Sequence, residues 1–132
     1  MNNRWKFSKS SVYNLGYHLI WCPKYRRNIL IGDIQKRLIE LLIEKSSQIG
    51  VSIENLEVMP DHIHLFVKTK PTHSPHWVVQ QFKGYTSRIM RKEFKKIKSS
   101  LPTLWTRNYY VESVGNISEE TIKKYIENQK NK

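Results

Sequence analysis

Apolar positions along the chain switch between a spacing of two and a spacing of three to four, and the switches mark the elements. Residues 12–22 (Val-Tyr-Asn-Leu-Gly-Tyr-His-Leu-Ile-Trp-Cys) are aromatic and β-branched and read as one long strand. Gly16 inside it signals a bulge or a close backbone approach. Ile34, Leu38, Leu41, Leu42 and Lys45 recur at helical spacing and predict a helix over 33–48, closed by Gly50. Residues 51–59 read as a second strand. A tight Pro60-Asp61 turn joins it to a third, His62-Ile63-His64-Leu65-Phe66-Val67. Ser74 is placed to cap, and Pro75 to open, a helix reaching residue 98, with an apolar stripe of Val78, Val79, Phe82, Ile89, Phe94 and Ile97. Gly84 at its middle allows a kink or a close contact. Residues 108–115 supply a fourth strand. Ser118 caps a last helix, with Glu119 and Glu120 in its favourable first turn.

The strand-helix-strand-strand-helix-strand order predicts an α+β fold. It is the ferredoxin-like (RRM-like) antiparallel sheet with helices on one face, plus a C-terminal helix over 117–132. Residues 1–10 are polar and basic and read as a loose arm. RNA-recognition modules share this fold, so the fold alone leaves function open. The sheet face without helices is where a site is expected.

At 132 residues with 39% hydrophobic content, the chain reads as one folded domain, 1–132. Its 23 Lys and Arg against 11 Asp and Glu give a net charge of +12. Such an excess concentrates polyanions, with nucleic acid the foremost. Lys24, Arg26 and Arg27 in the loop 23–28, and Lys83, Arg88 and Arg91 on the second helix, are the candidate phosphate contacts. The alternative for them is a solvated charged face. Trp5, Tyr25, Trp77 and Trp105 are candidates for base stacking, with core packing favoured for Trp105. No apolar run approaches the ~20 residues of a membrane span. The N-terminal residues lack the apolar core of a signal peptide. The single Cys22 excludes an intrachain disulfide and fits a reducing compartment, hence an expected cytoplasmic, nucleoid-associated location.

Strand alternation sets Ile63, Leu65 and Val67 on one face, the expected core side, and His62 and His64 on the other. Neutral imidazole is the commonest side-chain metal ligand, so two on one face of a strand make half a metal site. The bland alternative is a pair of histidines on a wet sheet face. On the last helix Tyr125 and Gln129 stand four apart and share a face. A phenol with a pKa near ~10 becomes a useful nucleophile only beside a cation, which a metal on His62 and His64 would supply. Gln129 offers a carbonyl oxygen as a third ligand. His18, His73 and His76 are read as structural.

Five blocks in this order resemble one family. They are Tyr17-His18-Leu19-Ile20-Trp21-Cys22-Pro23-Lys24-Tyr25-Arg26-Arg27; Met59-Pro60-Asp61-His62-Ile63-His64; Phe82-Lys83-Gly84-Tyr85-Thr86-Ser87-Arg88; Leu104-Trp105 through Val114-Gly115; and Ile122-Lys123-Lys124-Tyr125-Ile126-Glu127-Asn128-Gln129. The chain resembles the small single-tyrosine transposases of the His-hydrophobic-His class, which move insertion sequences as single-stranded DNA. The resemblance implies a metal on His62, His64 and Gln129, Tyr125 as nucleophile, a 5′-phosphotyrosine intermediate without ATP, and recognition of DNA hairpins at the element ends by a homodimer. It implies Mg²⁺ or Mn²⁺, although imidazole by itself favours softer metals. Two rivals remain: a non-catalytic hairpin or single-strand binding module, and a host enzyme that processes repeats. The first differs at Tyr125, which only an enzyme needs.

Overall fold

The computed structural model describes residues 6–7 and 12–114. The expected C-terminal helix with Tyr125 and Gln129 lies outside the described residues, as do Trp5 and most of the expected arm. Within that arm, β1 (Lys6–Phe7) pairs antiparallel with β2 (Val12–Tyr13) in a small ribbon. The expected long first strand is therefore divided at Asn14, and its main part is β3 (Leu15–Trp21). Then follow α1 (Gly32–Ile49), β4 (Ser52–Met59), β5 (His62–Thr69), α2 (Pro75–Glu93), α3 (Lys95–Ser100) and β6 (Tyr110–Ser113).

The main sheet runs β4-β5-β3-β6, every neighbouring pair antiparallel. Counting β3, β4, β5 and β6 as first to fourth, the order is 2-3-1-4, the ferredoxin-like arrangement expected from the sequence. Leu19 and Trp21 of β3 and Ile63, Leu65 and Val67 of β5 are buried in one core with Leu38, Leu41 and Leu42 of α1 and Val78, Val79, Phe82 and Met90 of α2. Full burial of each such side chain contributes about 1.5–3 kcal/mol. The helices thus cover the face that carries Ile63, and the histidines take the opposite one.

Local chemistry fixes the joints. Gly50 closes α1 at φ 70°, its N–H reaching the carbonyls of Ser46 and Ser47. The Ser74 Oγ accepts from the Trp77 N–H at 3.1 Å, and Pro75 takes the first helical position where no N–H is needed. The long second helix differs from expectation. It stops at Phe94 (φ −115°, ψ 96°) and restarts as α3, which turns Ile97 into the core at 1% exposure. Gly84 is exposed, with nothing near an added Cβ, and α2 runs through it without a break. No described helix is long and apolar enough to cross a membrane.

Candidate active site

The two-residue turn Pro60-Asp61 delivers β5 with His62 at its first position, and the Leu30 N–H pins the turn through the Pro60 carbonyl at 3.0 Å. Ladder partners share a sheet face. Ile20 stands opposite His64, His18 opposite Phe66, and Met59 opposite His62. Gly16, His18 and Ile20 of β3 therefore join His62, His64, Phe66 and Lys68 of β5 on the face away from the helices. That face is less open than the sequence suggests: His18, His64, Phe66 and Lys68 are all buried. Gly16 serves a close approach rather than a bulge, since a Cβ there would meet the Phe66 ring at 2.9 Å.

His62 and His64 have ring centroids 4.6 Å apart, edge to face. Each is held at Nδ1 by a second group. The Nδ1 of His62 donates to Oδ1 of Asp61 at 2.6 Å, while Oδ2 of Asp61 accepts from Arg26 at 3.0 Å. The hydrogen bond from His62, joined by Arg26, holds the Asp61 carboxyl below its ordinary range against the opposing effect of burial. An ionised Asp61 fixes the His62 tautomer, with the proton on Nδ1 and a lone pair on Nε2. Across the ladder, the Nδ1 of His64 lies 3.3 Å from Nε2 of His18. Burial pushes the pKa of His18 down, despite Glu112 and Glu57 nearby, which favours the neutral ring. When His18 accepts through Nε2, His64 takes the same tautomer as His62; when His18 donates, the roles reverse. Two imidazoles on one sheet face, one backed at Nδ1 by a carboxylate and one by a second imidazole, fit a divalent metal. Among the described residues, no group of three His, Cys, Asp or Glu could hold a metal ion; the third expected ligand, Gln129, lies outside the described residues.

Sequence reasoning read His18 as structural and gave Asp61 only a turn. The signal for His18 was there, because alternation in β3 puts it beside Ile20, but only the strand order brings it onto His64. The basic candidates divide. Lys24 is half-buried, and Arg26, Arg27 and Arg88 are exposed. Lys83, by contrast, is buried and donates to the carbonyls of Thr106 at 2.6 Å and Arg107 at 3.4 Å. Arg91 donates to the Leu101 carbonyl at 2.8 Å. Lys83 and Arg91 thus tie the 101–107 segment to α2 instead of presenting a solvated basic face. Trp105 is core, edge-on to Trp21 with its Nε1 donating to Thr86. Trp77 stacks near His73, and His76 bonds Tyr109, so these groups engage one another rather than His62. Cys22 is half-buried, and burial raises its thiol pKa, which leaves little thiolate.

Residues 11–129 match the family model described as "Transposase IS200 like". The chain belongs to the IS200-like transposase family. The transposase is 36% identical over 129 residues to the ISDra2 transposase TnpA of Deinococcus radiodurans, covering 96% of this chain and 92% of that one. It is 29% identical over 119 residues to the transposase for insertion sequence element IS200 of Salmonella typhimurium, covering 89% and 78%. A crystal structure of a putative transposase from Deinococcus radiodurans superposes with a TM-score of 0.78 at 36% identity, over 94% of this chain and 97% of that one. A REP-associated tyrosine transposase, solved bound to a REP hairpin, shares the fold with a TM-score of 0.63 at 12% identity, over 91% and 67%. Family membership makes this protein a DNA-binding enzyme of transposition that breaks and transfers DNA strands.

Proposed function

We propose that the transposase cleaves and rejoins single-stranded DNA ends of an insertion sequence through a 5′-phosphotyrosine on Tyr125, and that it recognises hairpins there. The observation that carries the reading is the pair His62 and His64 on one sheet face, each held at Nδ1 by a second group. Mg²⁺ or Mn²⁺ on His62, His64 and Gln129 would polarise a phosphate oxygen at the scissile bond. Tyr125 Oη attacks that phosphorus. The bond from phosphorus to the 3′ oxygen breaks, the oxygen takes up a proton as a free 3′-OH, and the phenol proton passes to solvent. Rejoining is the reverse, with a 3′-OH attacking the phosphotyrosine and Tyr125 leaving. One phosphoester replaces another, so no ATP is consumed. Asp61 keeps His62 oriented throughout, and His18 does the same for His64. Lys24, Arg26, Arg27 and Arg88 provide phosphate contacts.

The test is incubation with hairpin-bearing single-stranded DNA and Mg²⁺ or Mn²⁺, followed by a denaturing gel. A covalent adduct forms with the wild type and is absent with Tyr125→Phe, with His62→Ala and in chelator. Full cleavage by Tyr125→Phe would remove the nucleophile assignment. Binding with no cleavage under any metal would favour a non-catalytic hairpin-binding module. The enzyme acts as a homodimer in this reading, with Tyr125 serving the partner's metal site. Mixing inactive Tyr125→Phe and His62→Ala protomers then restores cleavage, and no recovery after confirmed subunit exchange rejects the shared site.

A further inference from the structure

Tyr25 is the most exposed large hydrophobic residue described, at 63%. It sits in the left-handed region at φ 60°, and Arg26 follows at φ 50°. Such a conformation is strained for a residue with a Cβ, and two in succession are unusual outside glycine. The surrounding contacts hold it there. The Lys24 N–H donates to the Leu104 carbonyl at 2.8 Å, the Thr106 N–H donates to the Cys22 carbonyl at 3.0 Å, and Arg26 N–H closes the turn onto the Pro23 carbonyl at 2.8 Å. The turn is thus stapled to the 104–106 segment on its far side, and a ring that could have been turned inward is held outward.

The surroundings of the ring define what it receives. Lys24 Nζ lies 5.4 Å and Arg27 Cζ 5.9 Å from its centroid. Arg26, the next residue, reaches Asp61, whose other oxygen holds His62. An exposed aromatic face, flanked by cations and two hydrogen bonds from a metal-site histidine, suits an unpaired base with its phosphates. Stacking on a base requires no hydrogen-bond code, and the cations that rest on the free ring can turn to the flanking phosphates when a base takes their place.

We propose that Tyr25 is the stacking platform for a base adjacent to the scissile phosphate, so that the 24–27 turn positions the single strand over His62 and His64. This rests on the single-strand cleavage reading above. The experiment uses the full chain and single-stranded oligonucleotides carrying 2-aminopurine at successive positions on either side of the cleavage point, in chelator so that no cleavage occurs. Wild type quenches the probe at one or two adjacent positions. Tyr25→Leu abolishes that quenching and weakens binding about tenfold, within the range for loss of one stacked base. Tyr25→Trp retains both. Tyr25→Gly separates this role from a structural one. Relief of the positive φ raises its Tm by roughly 3 °C, while its binding falls as in Tyr25→Leu. If wild type cleaves the oligonucleotide once Mg²⁺ or Mn²⁺ replaces the chelator, yet quenching and affinity in chelator are the same in Tyr25→Leu, the platform is overturned and the cleavage reading stands. If Tyr25→Gly loses stability, the residue is a structural one and the platform is overturned too. If wild type neither binds nor cleaves single strands, both fall.

Discussion

Replacing Gly16 with alanine probes how tightly the histidine face is built. The new Cβ would stand 2.9 Å from Cζ and 3.3 Å from Cε2 of Phe66. Phe66 is 3% exposed, so its ring has little open space to swing into. Overpacking of this kind costs about 1–3 kcal/mol. Against it stands a gain of about 0.4–1 kcal/mol, because alanine restricts the unfolded chain and the φ of Gly16 is not in the positive region. The net expectation is a loss of about 1–2 kcal/mol, read as a lower urea midpoint at unchanged m-value. The cause is isolated by a double-mutant cycle with Phe66→Leu, which removes the ring tip. In the Gly16→Ala background that second change should cost about 1 kcal/mol less than it does alone. An additive cycle, or a Gly16→Ala protein as stable as wild type, would refute the argument from close approach.

Other expectations follow from single contacts. His18→Phe removes the imidazole partner of His64 Nδ1, and metal affinity measured by calorimetry should fall about 10–100-fold with the fold retained, whereas His18→Gln keeps an acceptor and loses less; equal affinities in all three would dismiss His18 as a positioning residue. Lys83→Met takes a buried ammonium from the Thr106 and Arg107 carbonyls and should destabilise by about 1–3 kcal/mol. Burial lowers the Lys83 pKa in the folded state, so the folded protein releases its proton before the unfolded chain does. Wild-type stability therefore gains a rising component with pH between the folded pKa and the ordinary lysine value, which Lys83→Met should lack in paired denaturation curves. Affinity for a DNA hairpin should fall steeply with salt, by a log–log slope of about −0.7 to −0.9 per phosphate neutralised, and the slope should shrink in Arg27→Ala or Arg88→Ala but not in Lys83→Met.

Much of the architecture was legible in the sequence because it rests on local rules. Strand alternation put Ile63, Leu65 and Val67 in the core and the two histidines opposite. Gly50, Ser74 and Pro75 ended or began helices where their backbone chemistry demands. The five blocks pointed to the transposase family, and the family match across residues 11–129 bears that out. Local rules reached their limit where two distant segments meet. Whether a helix continues past Glu93 was decided by the room for Ile97 in the core, not by the helical spacing of 94–98. The partners of Lys83 and Arg91 are carbonyls of a segment ten or more residues away, which no charge pattern reveals. His18 and His64 are 46 residues apart and meet only because β3 is paired between β5 and β6. Arg26 and Asp61, 35 apart, meet only because one loop follows β3 and the other precedes β5 on adjoining antiparallel strands. Residue types and spacing thus determined which imidazoles face one way. Strand order decided what stands behind each of them, since that depends on pairings between segments that sequence periodicity does not encode.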